Sequence, residues 1–572
     1  MDIFLNTGMR ISVLIIIFFT GTNVVKAASA LPENKIEALN NQAASQIEQD
    51  KIRKKRLQAT RPDNRSAREE ENKAILHFPQ ETPCYFIDSV KLTQDSPQLK
   101  LSDLKNFTRQ AEGECLGING VRLLASALQN EIIRLGYITT RIDMPPQDLH
   151  QRALQFDIKA GKVGKIKLVK GSSDYISLKN TLPFGEGDLL NLSGLEQGSF
   201  NLQRTPGTTV KLQVVPGAEK GESDILIDRR QDKYWQAGAW LNDAGSKSTG
   251  RYQAGGALYL HNATSLSDTL FFSVGQDIST RHKPEGSHNR ALGYSVPWGF
   301  WSLDLYASQS RYNQHIQGSY ADWMLNNKNS YYSAQLNRLL SHTVHQKTSA
   351  GLQLYRAATR YYFNDYELSS MHKKSAGWKV FLSHQHYFER AAIAATLSYQ
   401  NNMPWFNSND TLEKKSGLVD KRGRVIVFDV KAAVNFTLLD ERFNYSPYLN
   451  IQLSPDSLSS LDRLALGNRW NVRGFDGEYS LQNNQGWFLR NDISWIKEGK
   501  NYQPYIGLDI GQAIGHSSQQ YYSGKTLAGG VAGVQGELWQ THFDLFAGLP
   551  LYQPREFHTD PLTLGFSLQW KY

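Results

Sequence analysis

From about residue 232 to its end, the chain alternates apolar and polar residues in segments of about ten, broken by polar loops. Alternation with a period of two puts one set of side chains on each face of a β-strand. The segment 485–496 shows it well: Trp487, Leu489, Ile493 and Trp495 oppose Phe488, Arg490, Asp492 and Ser494. Trp301, Leu303 and Leu305 likewise oppose Ser302, Asp304 and Tyr306. Leu562, Leu564, Phe566, Leu568, Trp570 and Tyr572 oppose Thr563, Gly565, Ser567, Gln569 and Lys571. The pattern predicts strands near 233–242, 251–261, 268–278, 288–297, 300–310, 330–340, 347–358, 376–387, 391–401, 423–437, 443–453, 485–496, 502–513, 526–537, 540–549 and 561–572. That is an even set of sixteen, as bacterial single-chain membrane barrels require.

Upstream the period changes. In 81–160, strands are predicted at Phe86–Leu92, Tyr137–Ile142 and Leu154–Ala160, with a helix at Val121–Leu135 that Gly136 stops. Residues 161–230 repeat the pattern in degraded form. Strands are expected at Gly164–Lys170, Val210–Val215 and Ser223–Asp228, with helical parts at Asp174–Thr181 and Leu192–Gln203. Residues 31–58 read as a helix whose apolar stripe (Ile36, Leu39, Ala43, Ile47) is too thin to enter lipid or build a core, so it is either solvated or lodged in a polar cavity. Residues 59–80 read as a flexible linker. Residues 1–30 read as a signal peptide, with a compact apolar run Ile11–Phe19 and Ala28-Ser29-Ala30 before the cut.

Composition narrows the class. Mean hydropathy is −0.48, and the one strongly apolar run is at the N-terminus, which excludes helical membrane spans. Tyr 27, Trp 12 and Gly 45 without apolar runs suit a transmembrane barrel. A soluble propeller is the rival, but no repeat of propeller period occurs. The net charge of +9 includes a basic run from Lys51 to Arg68. In an exported chain that run reads as a linker or a segment facing anionic head groups, not as a nucleic-acid site. The two cysteines, Cys84 and Cys115, read as one disulfide, closing a loop of about 30 residues worth roughly 3–4 kcal/mol in the chain-entropy model. No nucleophile, base and orienter stand together, and no phosphate-binding Gly-Lys-Ser/Thr loop occurs. His384 and His386 share a strand face without further metal ligands, so neither an enzyme, a metal site nor a cofactor is expected.

One stretch does not fit a solvated loop. Leu466-Gly467-Asn468-Arg469-Trp470-Asn471-Val472-Arg473-Gly474-Phe475, inside the long loop 454–484, mixes two arginines with large apolar side chains. A loop folded into a confined polar space uses that mix, because each arginine then needs a buried partner. In Tyr505–Gly511, Ile506, Leu508 and Ile510 share one face; Asp509 lies on the other, between Gly507 and Gly511, which leave room for something large. Arg473 with Asp509 is the pair to expect.

Val472-Arg473-Gly474-Phe475 in a long loop, followed by Gly507-Leu508-Asp509-Ile510-Gly511, resembles the two-partner secretion transporters of the bacterial outer membrane, members of the POTRA-plus-barrel superfamily. Leu135-Gly136-Tyr137-Ile138-Thr139-Thr140-Arg141 is similar to the helix-to-strand turn of a POTRA domain, and Cys84 with Cys115-Leu116-Gly117 to the disulfide of the first POTRA. The resemblance implies a β-barrel membrane protein: a 16-stranded antiparallel barrel (231–572) in the outer membrane, preceded by a plug helix and two periplasmic α/β POTRA domains. It implies that Arg473 locks the tucked loop to Asp509, with Val472, Gly474 and Phe475 shaping the tip. It also implies that the POTRA domains bind a secreted exoprotein client of the haemolysin, adhesin or contact-dependent growth inhibition toxin class. Outer-membrane lipid and the barrel-assembly machinery would be further partners. The terminal aromatic strand resembles the signal that machinery reads, although Tyr572 stands where most relatives have Phe. An insertase of the same superfamily, a passive porin and an outer-membrane enzyme such as a lipase are the alternatives.

Overall fold

The computed structural model describes residues 75–572 except 100–101, 248–249, 279–285, 318–321, 344 and 516–523. The expected signal peptide, the 31–58 helix and residues 59–74 of the expected linker lie outside the described residues. The linker's last six residues do not behave as a linker. Leu76 and Phe78 pack against the first domain's core, and the Leu76 N–H donates to Gln110 Oε1 at 2.8 Å. The apolar residues Ile75, Leu76 and Phe78 form too short a run to set a period, so the pattern does not announce this.

The first domain is a sheet ordered Ser89–Gln94, Ala153–Lys159, Arg141–Asp143, covered by helices α1 (Lys105–Ala111) and α2 (Ile118–Arg134). Val121, Leu124, Leu128 and Ile132 line the buried stripe of α2. The Glu81 carboxylate accepts from the Asn119 and Gly120 N–H groups at its N-terminus, satisfying donors with no intrahelical partner. At its other end the Gly136 N–H donates to the Ile133 carbonyl and the Tyr137 N–H to the Ile132 carbonyl, a Schellman stop. That turn occupies the start of the strand expected at Tyr137–Ile142, so only Arg141–Asp143 is extended. Helix α1 escapes the periodicity argument because Phe107 and Ala111 are its only apolar residues. Cys84 and Cys115 are joined in a disulfide.

The second domain has the sheet order Lys162–Leu168, Glu222–Gln231, Thr208–Pro216 and helices α3 (Leu178–Thr181) and α4 (Leu192–Gln203). Helix α3 is shorter than the helical stretch expected from Asp174, because other elements claim the preceding backbone. The Ser173 N–H donates to the Arg229 carbonyl, the Ser177 N–H to Ser265, and the Tyr175 carbonyl accepts from Asn262 Nδ2. The last two are barrel residues.

Sixteen strands then close a barrel in sequence order. They are β1 (Trp235–Asn242), β2 (Gln253–His261), β3 (Thr269–Asp277), β4 (Gly286–Trp298), β5 (Trp301–Gln317), β6 (Asp322–His342), β7 (Gln346–Phe363), β8 (Lys373–Tyr387), β9 (Ala391–Asn402), β10 (Arg424–Leu438), β11 (Glu441–Tyr445 and Tyr448–Leu453), β12 (Gln485–Ile496), β13 (Tyr502–Ile514), β14 (Thr526–Leu538), β15 (Thr541–Tyr552) and β16 (Thr563–Lys571). Strand β11 is interrupted around Pro447, which has no N–H to give to the ladder. Strands β5, β6 and β7 run well past the predicted ends because the apolar residues of their upper parts stand in consecutive runs, Trp323–Leu325 and Tyr361–Phe363, without alternation; Tyr312, Leu325 and Tyr361 bury themselves in a small cluster there.

Two features of the barrel matter for function. The inward positions of β4 to β7 are mostly small or neutral polar groups, among them Ser287, Asn289, Ser308, Gln335 and Gln353. The closing seam is short: β16 pairs with β1 only over Ser567–Lys571 and Gly238–Asn242, whereas β5 pairs with β6 along its whole length.

Candidate functional site

The loop between β11 and β12 folds into the barrel instead of standing in solvent. It begins and returns as a small antiparallel pair, Leu464–Leu466 with Leu481–Asn483. Its apolar side chains bury themselves on the inner wall: Leu466, Val472 and Phe475 pack with Phe488 of β12, Ala513 of β13, Leu527 of β14 and Phe557. The tip is shaped by Asn471, whose Oδ1 accepts from the Gly467 and Val472 N–H groups while its Nδ2 donates to the Ala465 carbonyl.

Arg473 sits at the centre and is 2% exposed. Its Nε donates to Asp509 Oδ2 at 2.7 Å and its Nη2 to Asp509 Oδ1 at 2.9 Å; its backbone N–H also donates to Oδ2 at 3.0 Å. The planar fork meets the carboxylate bidentately, a geometry lysine does not reproduce. Nη2 reaches a second carboxylate, Asp492 of β12, at 2.5 Å. Arg490, registered opposite Asp509, has its Nε 3.4 Å from Asp492 Oδ2 and donates from Nη1 to the Arg469 carbonyl. Two cations and two anions thus form one cluster, and each buried charge has a partner of opposite sign.

The glycines around Asp509 make the space. A Cβ on Gly507 would lie 2.5 Å from Arg473 Nη2, and one on Gly511 would lie 2.9 Å from Val472 Cγ2. Gly474 turns the chain with φ +96° and lies against the Leu549 backbone of β15, where any side chain would collide. The structure therefore brings together Val472, Arg473, Gly474, Phe475 and Asp509 in one site. Cys84 and Cys115 lie elsewhere, in the first α/β domain.

Two more anchors were not foreseen. Arg469 Nη1 pairs with Asp243 at 2.9 Å, just past the end of β1, and its Nη2 donates to the Phe566 carbonyl of β16. Asp243 Oδ1 also accepts from the Phe566 N–H at 2.9 Å, so the contact straddles the closing seam at its loop end. At the other end of the seam Tyr572 stacks on Trp235. The base of the loop is held on the opposite wall. Asp462 accepts from Ser375 of β8 and from Gln400 and Asn402 of β9, at 2.8–2.9 Å. The second arginine of the motif signalled that another partner exists; that it is Asp243, 226 positions away, is not visible in the chain. The loop is thus pinned to β8–β9, to β12–β13 and to the β1–β16 seam, and it crosses the bore. Replacing Asp243 with Asn is expected to weaken the seam by about 1–3 kcal/mol. The check is the temperature at which the folded barrel unfolds on heat-modifiability gels, which should fall by several degrees.

The second α/β domain is fastened to the barrel's other rim. Asn180 Nδ2 donates to the Leu266 and Pro297 carbonyls, Asn201 Nδ2 to Gly299, and Ser267 Oγ to the Asn201 carbonyl.

A closed sixteen-stranded barrel with a lumenal loop and two small α/β domains at one mouth defines an outer-membrane barrel of the POTRA superfamily. Residues 85–161 and 161–216 match POTRA models, the first of the ShlB type. Residues 221–536, more than half of the chain, match the model "Haemolysin secretion/activation protein ShlB/FhaC/HecB", and the chain belongs to that family. Among relatives, the outer membrane transporter CdiB-2 of Burkholderia pseudomallei is 30% identical, covering 86% of this chain and 87% of that protein. The hemolysin transporter protein ShlB of Serratia marcescens is 27% identical, covering 76% and 77%. The solved structure of CdiB from Acinetobacter baumannii superposes with a TM-score of 0.80 at 25% identity, covering 95% of this chain and all of that one. The protein is an outer-membrane transporter of the two-partner secretion type, and its family is one of transporters, not enzymes.

Proposed function

We propose that this transporter secretes one large exoprotein, captured in the periplasm by the POTRA domains and passed through the barrel, with the loop held by Arg473 as the gate's fixed element. The contact-dependent growth inhibition class of client is favoured by the relationship to CdiB-2 over most of both chains; a haemolysin or adhesin is the second reading. The observation that carries the reading is the loop pinned across the bore at three places on the wall. A passive porin has no need of a loop fixed by a four-charge cluster with a buried arginine–aspartate pair at its centre. The inward positions of β4 to β7, mostly small or neutral polar groups, support passage of an unfolded chain, because they present no single-sign field to hold it. Barrel lipid contacts, handling by the assembly machinery and the absence of catalysis belong to the same proposal.

The test is co-expression with a candidate large exoprotein of the contact-dependent growth inhibition class, scored in the medium. Secretion that depends on this transporter and on the exoprotein's N-terminal region supports the reading. Unchanged secretion without the transporter, with loss of other outer-membrane proteins instead, would identify an insertase. A further expectation concerns residues 31–57: if they plug the pore, their deletion raises single-channel conductance severalfold in planar bilayers. Unchanged conductance would place them outside the lumen.

A further inference from the structure

The outward face of β4 to β7 carries a row of basic side chains that nothing in the barrel uses. His288 of β4 stands opposite Arg311 of β5, Arg311 opposite Lys328 of β6, and Lys328 opposite Arg360 of β7. All four are exposed. They share the outer face with Leu292, Leu305, Leu336 and Leu354, lower on the same strands. Arg290 and Arg356 flank the row, with Arg290 bonded to Gln309 and Arg356 over the Phe406 ring. Among the described residues, none of the six has a carboxylate within ion-pair distance. The row's other contacts are neutral: Arg311 Nε to Asn313 Oδ1, and Lys328 Nζ 4.4 Å over the Tyr362 ring. Glu367, opposite Tyr362, is already paired with His372. Like charges directly opposed across strands repel, so the row destabilises the bare sheet.

Its height identifies what relieves that repulsion. Trp301, with Arg338 stacked 5.1 Å over it, marks the periplasmic edge of the apolar band on β5. A transmembrane strand needs about 9–11 residues to cross, and Arg311 is ten residues up from Trp301. The row therefore lies at the level of the outer leaflet's head groups. Strand β13, across the barrel, shows Ile506, Leu508, Ile510 and Ile514 on its outer face and no base, so the row is not a general feature of this rim.

We propose that this wall binds the phosphate groups of an anionic outer-leaflet glycolipid, with Arg311, Lys328 and Arg360 as the main ligands and the leucines below taking the acyl chains. Arginine forks suit phosphate oxygens, and the acyl contact commits the site to a lipid, not a free ion. The same side of the barrel carries the second POTRA domain, so a bound glycolipid anchors the wall that faces away from β12–β13. The inference rests on the outer-membrane placement and is independent of which exoprotein is secreted.

The test uses the full-length protein in neutral-phospholipid nanodiscs, with bis-phosphorylated lipid A and its dephosphorylated form as probes, read by native mass spectrometry. Wild type is expected to retain phosphorylated lipid A about tenfold better than the Arg311→Gln/Lys328→Gln/Arg360→Gln variant. Retention should fall as salt rises from about 0.05 to 0.5 M. A control removing three exposed POTRA lysines (Lys170→Gln/Lys211→Gln/Lys220→Gln) should behave as wild type. Equal retention by the triple variant, equal binding of the dephosphorylated lipid, or displacement by millimolar inorganic phosphate would each overturn the proposal. Should the variant fail to fold on heat-modifiability gels, the two lipids compared on wild type decide it. Secretion plays no part in the readout, so failure here leaves the transport reading intact, and the reverse.

Discussion

Replacing Arg473 with alanine is expected to cut exoprotein secretion about tenfold or more while leaving folded barrel in the membrane. Breaking a buried pair from one side costs about 3–5 kcal/mol, because the surviving charges lose their partner in a poorly solvated place. Here Asp509 and Asp492 would both lose the guanidinium, and Arg490 alone would remain to balance them. The loop would lose its central pin but keep the burial of Leu466, Val472 and Phe475. At about 1.5–3 kcal/mol per fully buried large apolar side chain, that burial holds the tip near the wall without fixing its register. The barrel's own ladders do not pass through Arg473, so assembly should survive. Arg473→Lys should recover only part of the loss, since an ammonium cannot reproduce the bidentate contact. Immunoblots of medium and of membrane fractions, with heat-modifiability as the measure of barrel, check both halves. Unaltered secretion would remove Arg473 from the mechanism.

The second large effect requires no change of charge. Gly529 of β14 faces the Arg473 backbone, and a Cβ there would lie 1.8 Å from the Arg473 carbonyl oxygen. Backbone lies on both sides of the collision, so neither partner can rotate away. Gly529→Val should therefore expel the tip from its seat and reproduce the Arg473→Ala secretion loss with all four charges intact. The outward-facing glycine of the same strand, Gly530, meets only the Leu551 and Leu508 side chains at ordinary distances. Gly530→Ala is thus the matched control and should secrete normally. Cysteine labelling at Trp470→Cys, half-buried in the native loop, reports the tip directly: faster labelling in the Gly529→Val background is expected, and equal rates would refute the expulsion.

How much of this was legible in the chain depended on where periodicity reaches. All sixteen strands could be placed because lipid on one side and lumen on the other impose strict alternation, as at Trp487–Trp495. The upper parts of β5 to β7 were cut short because their apolar residues come in consecutive runs such as Trp323–Leu325, with no alternation, and Asn313 or Asn326 then looks like loop. Helix α1 was missed for a related reason: Phe107 and Ala111 alone cannot draw a stripe. In the site, Arg473 and Asp509 could be matched because one stands in an anomalous loop and the other between two glycines. Asp492 was on the correct strand face but had no flanking signal. Asp243 and Asp462 were out of reach, since ordinary-looking acids close those contacts only when the barrel curls β1 round to β16 and the loop across to β9.

The most direct test of the central claim, that the Arg473 cluster holds the loop in its working position, is a secretion assay on Arg473→Asp, Asp509→Arg and the double exchange, with folded barrel quantified in each. The native cluster of Arg473, Arg490, Asp492 and Asp509 is neutral. The first single exchange leaves it two charges negative, the second leaves it two positive, and the double restores neutrality with the polarity of the pair reversed. Secretion lost in both singles and substantially recovered in the double is the predicted result. Both singles secreting at the wild-type level would contradict it.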